Sequence, residues 1–216
     1  MVLLHGLASQ AHIWDRVAPR LAGSARVVAL DQRGHGLTDK PNDGYEFASI
    51  ARDLNSFLDE MKLGRSVLVD HSWGGSVALD YAARRPERVA GLVLVDGGVL
   101  EVGSRLDWPA AEKMLEPPDL AGMPLAEFRS NLRIWLGPVW NEANEAIVLN
   151  NFEVLPDQTI RPHLRKFNHM KGARHSTASA RRAGAGDRGV CGGDWVVNEK
   201  PGVSKTPGFF ISGPVG

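Results

Sequence analysis

Apolar residues fall along this chain in two rhythms. Short aliphatic and β-branched runs, Val2-Leu3-Leu4, Arg26-Val27-Val28-Ala29-Leu30, Val67-Leu68-Val69 and Val89 to Val95, each have the length of one buried strand. Between them apolar residues recur three and four apart: Trp14, Val17 and Leu21, then Ile50, Leu54, Phe57, Leu58 and Met61, then Val77, Ala78, Tyr81 and Ala82. That spacing predicts three helices, each with one apolar face. Ser49 stands where it caps the start of the second, Gly64 just past its end, and Pro86 stops the third. Strands alternating with helices predict right-handed crossovers and a parallel sheet, with reactive groups gathered at the strand carboxyl ends. His5, Asp31, Ser72 and Asp96 occupy those ends. The unbroken apolar run Val89 to Val95 suits a strand covered on both faces.

From about Glu101 to Met170 the pattern changes to helical segments and loops, with Pro117-Pro118 and tryptophans at Trp108, Trp135 and Trp140. Beyond Lys171 periodicity is lost. Ten of the 24 glycines fall there, interleaved with arginine, serine and alanine, a composition that buries little and predicts a poorly packed tail. Only Trp195-Val196-Val197 and Phe209-Phe210-Ile211 have strand character in it. The expected division is therefore a core over 1–100, an insertion over 101–170 and a Gly/Arg/Ala-rich tail over 171–216.

A chain of 216 residues holds one substantial core, with or without an insertion. Its formal charge is zero, which removes the simplest electrostatic argument for nucleic acid or an anionic membrane as partner. The single Cys191 makes no internal disulfide. The apolar start is broken by His5-Gly6 and lacks a basic leader, so neither a signal peptide nor a membrane span is expected there, and the expectation is a cytoplasmic protein. Metal-ligand spacings are not met. Entry into the first strand at Met1 itself suggests a fold shortened at its start.

The chain is organised around Val67-Leu68-Val69-Asp70-His71-Ser72-Trp73-Gly74-Gly75, which reads as strand, sharp turn, helix. A serine at such a turn projects from the sheet with its hydroxyl exposed and a helix amino end behind it, the geometry a nucleophile needs. With His5-Gly6 after the first strand and Asp31-Gln32-Arg33-Gly34-His35-Gly36 after the second, the stretch from Val2 to Met170 resembles the α/β-hydrolase family. Ser72 and Gly74 match its G-x-S-x-G elbow. Asp70 replaces the first glycine, where close approach of strand and helix calls for a small residue, so the elbow is expected to be crowded.

The resemblance implies an α/β fold, an open parallel sheet flanked by helices and incomplete, with a helical cap inserted over 101–170. It implies Ser72 as nucleophile, the N–H groups of Leu7 and Trp73 as oxyanion donors, and His5, Gly6 and Gly74 shaping the site. Asp31 and Arg33 would satisfy loop backbone or pair with each other. The activity implied is hydrolysis of an ester or similar small carbonyl compound through an acyl-enzyme, without cofactor. Carbon–carbon bond hydrolysis or perhydrolysis uses the same scaffold. Epoxide and haloalkane hydrolysis fit less well, because those relatives place an aspartate where Ser72 stands. A cap supplies an apolar pocket, which favours a small or hydrophobic acyl or ring substrate.

A serine hydroxyl needs a base, and the base an orienting carboxylate. In the family both come after later strands, and neither later unit is visible. His71 adjoins the nucleophile and points away from it; His163, His169 and His175 lie in or just after the insertion; Asp96 is the candidate acid. The abrupt loss of pattern near Lys171 beside a missing base reads as a replaced chain end, such as a frame shift produces. Translation of the encoding DNA in the other two forward frames is then expected to show an apolar strand, an aspartate and a late Gly-His. The competing reading is a catalytically impaired fragment, or a pocket that binds a small molecule without turning it over. The oligomeric state is left open, and an incomplete sheet predicts a pairing-competent edge.

Overall fold

The computed structural model describes residues 1–97, 108–183 and 196–197, with side chains through residue 174. Strands β1 (Val2–Leu4), β2 (Val28–Leu30), β3 (Ser66–His71), β4 (Val89–Val95) and the two-residue β7 (Val196–Val197) form one parallel sheet in the order β2-β1-β3-β4-β7. The chain runs from β1 outward to β2, returns to the other side of β1 as β3, and continues to β4. That reversal opens a crevice beyond the carboxyl ends of β1 and β3, where ligands of such sheets bind. The remaining strand candidates, Trp195 and Phe209 to Ile211, lie outside the described residues.

Alternation of side chains in the central strands divides the core in two. Val2, Leu4, Leu68 and Leu92 face helices α2 (Phe47–Glu60) and α3 (Trp73–Arg84). Leu3, Ala29 and Val69 face Ala11, Trp14 and Ala18 on the opposite side. The first predicted helix is not continuous: a 3-10 turn at Ala11–Trp14 is followed by the single turn α1 (Ala18–Leu21). Pro19 in that turn has no N–H to carry helical bonding back, and Val17 is left 39% exposed rather than buried. Helix α2 starts two residues before Ser49. Glu46, in extended conformation, precedes it, and the Ser49 hydroxyl donates to the Glu46 carboxylate. The left-handed residue after α2 is Lys62 (φ 52°), not Gly64. Pro86 opens a 3-10 turn at the end of the elbow helix. The expectation for β4 also needs correction: Ala90 and Val95 are exposed, because the packed helices centre on β1 and β3 and the outer neighbour β7 pairs only Val93 and Leu94.

A second set of elements follows. Helix α4 (Trp108–Leu115) lies against the later helix Lys166–Ala183, while α5 (Leu125–Leu136), α6 (Glu142–Leu149) and the antiparallel pair β5 (Phe152–Val154) and β6 (Ile160–Pro162) gather around Phe128, Leu132 and Ile160. Phe128 and Phe152 stack with ring centroids 4.6 Å apart. Helix α7 (Lys166–Ala183) then runs through the boundary expected at 170/171, so residues 171–183 are helical rather than irregular. Its first half buries Asn168, His169 and Ala173, which is packing enough to hold a segment without an apolar stripe. Lys171 ties it to Asp43 and the Asn42 carbonyl beside the sheet. Among the described residues no helix is long and apolar enough to cross a membrane.

Candidate active site

Ser72 links β3 to α3 with φ 52° and ψ −118°, a conformation that costs a non-glycine residue roughly 1–3 kcal/mol and persists only where neighbours enforce it. The neighbours are backbone. The Ser72 N–H donates to the Val95 carbonyl at 3.0 Å, and the Gly75 N–H donates to the Ser72 carbonyl at 3.0 Å. A Cβ on Gly74 would lie 2.6 Å from the His5 carbonyl oxygen, one on Gly6 would lie 3.1 Å from Ser72 Cβ, and one on Gly97 would collide with Ser72 Cα. Gly97 was no part of the expected site. Its signal is its place directly after Asp96, where the loop leaving β4 crosses the elbow.

The loop after β1 is held to the loop after β2. Gln32 donates from its backbone N–H to His5 Nε2 at 3.0 Å and from its side chain to the His5 carbonyl at 2.8 Å. His5 therefore carries its proton on Nδ1, an assignment from the bonding pattern, and donates it to the Gly6 carbonyl at 2.8 Å. Burial brings the His5 pKa down to about 4, against the opposing effect of that bond. His35 stacks on His5 at 4.8 Å and on Trp73 at 5.6 Å, and burial followed by the neighbouring His5 brings it to about 3. Both rings are neutral near pH 7. Asp31 accepts from the N–H groups of Ala11 (2.7 Å) and Leu37 (3.0 Å), whereas Arg33 turns away from it to make a two-pronged pair with Asp53 on α2, at 2.6 and 2.7 Å. Of the two roles expected, Asp31 takes that of satisfying loop backbone, and no Asp31–Arg33 pair forms.

Trp73 opens α3, so its N–H has no helical acceptor, and Leu7 follows the glycine that abuts Ser72. Their side chains meet α7: Trp73 Nε1 donates to the Gly172 carbonyl at 3.3 Å, and a Cβ on Gly172 would lie 3.1 Å from Leu7 Cδ1. Asp96 is exposed, with φ 50°, one residue past the Val95 that pairs with His71. His71 is buried beside Gly6. His169 donates from Nε2 to the Leu115 carbonyl at 3.0 Å, and burial lowers its pKa. The His175 side chain lies outside the described residues.

A cavity of about 640 Å³ lies between the two sets of elements, bounded by Ala8, Ser9 and Lys40 on the sheet side and by Leu120, Phe152 and His163 on the other. Ser72 is not in its wall; the loop Leu7 to Ser9 joins the elbow to it. None of Trp108, Trp135 and Trp140 lines it; its apolar wall comes from Pro117, Leu120, Phe152 and Leu164, beside charged side chains. Trp135 is 58% exposed and Trp140 donates to Glu145 at 3.0 Å, so these rings belong to the second set's own surface. No group of three His, Cys, Asp or Glu residues able to hold a metal occurs among the described residues.

Residues 1–149 match the family model described as "alpha/beta hydrolase fold". The chain belongs to the α/β-hydrolase fold family. A haloalkane dehalogenase of Mesorhizobium japonicum is 38% identical over 96 residues, covering 44% of this chain and 31% of that protein. A 2-(acetamidomethylene)succinate hydrolase of the same organism is 35% identical over 96 residues, covering 44% and 34%. Each match thus spans about a third of the relative's length. Among solved structures, E-2-(acetamidomethylene)succinate hydrolase superposes with a TM-score of 0.70 at 24% identity, covering 85% of this chain and 67% of that one, a likeness of fold.

This α/β hydrolase departs from the family's elbow pattern at Asp70. Register places it between Leu4 and Leu94; it is fully buried, and neither carboxyl oxygen has a hydrogen-bond partner. Burial pushes its pKa well above the usual carboxylate range, so the protonated acid is the form that fits.

Proposed function

We propose that this α/β hydrolase cleaves a small ester or similar carbonyl compound through an acyl-enzyme on Ser72. The reading is carried by the enforced backbone of Ser72 at the crevice. Ser72 Oγ gives up its proton, the one the leaving group later takes, and bonds to the carbonyl carbon, and the displaced electron pair comes to rest on the carbonyl oxygen, facing the N–H groups of Leu7 and Trp73. One such donor contributes roughly 3 kcal/mol to lowering the barrier. Collapse expels the leaving group, which takes up a proton, and water then releases the acid and restores the hydroxyl. His5, Gly6 and Gly74 keep the two donors in place, Asp96 is the candidate acid, and residues 101–170 act as the cap. A serine at the elbow, rather than a carboxylate, separates this chemistry from that named for the dehalogenase relative.

The base is not assigned to a described histidine. His5 and His35 are buried and weakly basic, and His169 spends Nε2 on Leu115. This favours a second reading, binding without efficient turnover, in which oxyanion contacts alone leave roughly a thousandfold acceleration over water. A fluorophosphonate probe separates the two, with the adduct located by peptide mass spectrometry. Labelling on Ser72, absent in Ser72→Ala, is the expected result. No labelling of protein shown to be folded favours the second reading.

A further inference from the structure

The wall of the 640 Å³ cavity carries Lys40, Arg161, Arg165 and Lys166 against the carboxylates Asp119 and Glu153. In a chain of zero formal charge this is a local surplus of cations. The pairing within the wall is uneven. Glu153 is taken by Arg161 at 3.0 and 2.5 Å, Lys166 by Glu116 at 2.5 Å, and Asp119 accepts from the Ala121 N–H at 3.2 Å. Lys40 and Arg165 have no carboxylate within ion-pair distance among the described residues. Lys40 is half-buried and donates to the carbonyls of Gly36 (2.8 Å) and Thr38 (2.9 Å), which leaves one hydrogen of its ammonium uncommitted. Burial lowers the Lys40 pKa; Asp31 and Asp39 favour its charge, while Arg165 opposes it. Two cations that repel each other across a concave surface define a place for an anion. Pro117, Leu120, Phe152 and Leu164 supply an apolar wall beside them.

We propose that this cavity binds the carboxylate group of a small molecule with an apolar body, the carboxylate lying between Lys40 and Arg165. A planar carboxylate matches the fork of the Arg165 guanidinium, and the single free hydrogen of Lys40 suits one further oxygen. His163, half-buried in the same wall, is held neutral by burial and by the charge of Lys40, and its ring is available as a donor rather than as a third cation. The connection to catalysis rests on the Ser72 reading: the loop from Leu7 to Ser9 would place an anionic tail in the cavity and a carbonyl group at the elbow.

The test is calorimetry on the full chain at low ionic strength with 4-phenylbutyrate, its neutral amide and inorganic phosphate. Saturable binding of 4-phenylbutyrate is expected, with little or none of the amide, and a loss of about tenfold or more in affinity in each of Lys40→Met and Arg165→Met. The affinity should fall as salt is raised. Both variants are checked for wild-type thermal unfolding. Equal binding of acid and amide, unchanged affinity in the two folded variants, tighter binding of phosphate, or no saturable binding would each overturn the proposal. Ser72→Ala should bind 4-phenylbutyrate as wild type does. Calorimetry needs no turnover, so failure of fluorophosphonate labelling with intact binding sinks the catalytic reading alone, and the reverse outcome sinks only the anion site.

Discussion

At the elbow, backbone packs against backbone; at the cavity, side chains from distant segments set a charge balance. A Cβ on Gly74 or Gly97 would meet main-chain atoms, and one on Gly6 would meet the buried His71 ring and Ser72 Cβ, so no small adjustment of a flexible side chain makes room there. Across the molecule, the wall around Lys40 and Arg165 is made of long side chains whose positions are adjustable and whose charges are not. The first region should therefore answer to volume and the second to charge. Gly74→Ala tests this most severely, because its Cβ would press on the carbonyl oxygens of His5 and Leu4, at 2.6 and 3.0 Å. Chemical denaturation should show a loss of ~3 kcal/mol. Gly23→Ala, with nothing within 4 Å of the added carbon, should stay within ~0.5 kcal/mol of wild type. Equal effects at the two glycines would break the distinction.

Asp70 brings charge into the region governed by volume. Replacing a buried carboxyl that lacks partners by a methyl group should raise stability by ~2 kcal/mol near pH 7. The pH dependence gives the sharper reading. A carboxyl whose pKa is raised in the folded state is most favourable below its unfolded value of 3.8, and stability is lost as pH rises from there towards the folded value. His5 and His35 act with the opposite sign, because their folded values of about 4 and about 3 lie below 6.5, and they withdraw stability as pH falls from 6.5. Upward from pH 3.8 and downward from pH 6.5 the two contributions therefore oppose each other, the histidines withdrawing stability as pH falls and Asp70 restoring part of it. Asp70→Ala should lose stability more steeply than wild type on acidification through that window, measured as denaturant midpoints across pH. A profile unchanged by the substitution would mean that Asp70 is not buried as described.

The same division explains what was legible beforehand. Strand length, a serine followed by two glycines and the His-Gly pair are local signals of backbone packing, and they converge in space on Ser72. Asp70 was legible as a misfit in that pattern, though its uncharged state depends on Leu4 and Leu94 from other strands. Helix ends were read less well: Glu46 and Lys62, rather than Ser49 and Gly64, take the terminal conformations of α2, since both kinds of residue reach them when packing fixes the flanks. Helix α7 escaped notice because its sequence has no apolar stripe. Its place is fixed by Leu7 and Trp73 against Gly172, contacts between segments far apart in the chain. The charges in the cavity wall were not legible for the same reason, as no periodicity relates Lys40 to Arg165.

A smaller effect is expected at Arg33, whose pair with Asp53 fastens the loop after β2 to α2. Both side chains are partly exposed, 27% and 39%, so water takes over much of the lost interaction. Arg33→Ala should cost ~1 kcal/mol by denaturation. A loss as large as that at Gly74 would show that charge, too, governs the sheet side.

Arg161→Ala carries the comparison to its limit. Its pair with Glu153 is exposed, 60% and 47%, and pairs of that kind contribute little to folding, so stability should stay within ~0.5 kcal/mol of wild type. Binding should still respond. Without Arg161, the Glu153 carboxylate in the cavity wall is no longer neutralised and repels an incoming anion, so 4-phenylbutyrate affinity should fall by a factor of about three to ten while the amide is unaffected. An unchanged affinity would separate Glu153 from the electrostatics of the site and confine the anion's contacts to Lys40 and Arg165.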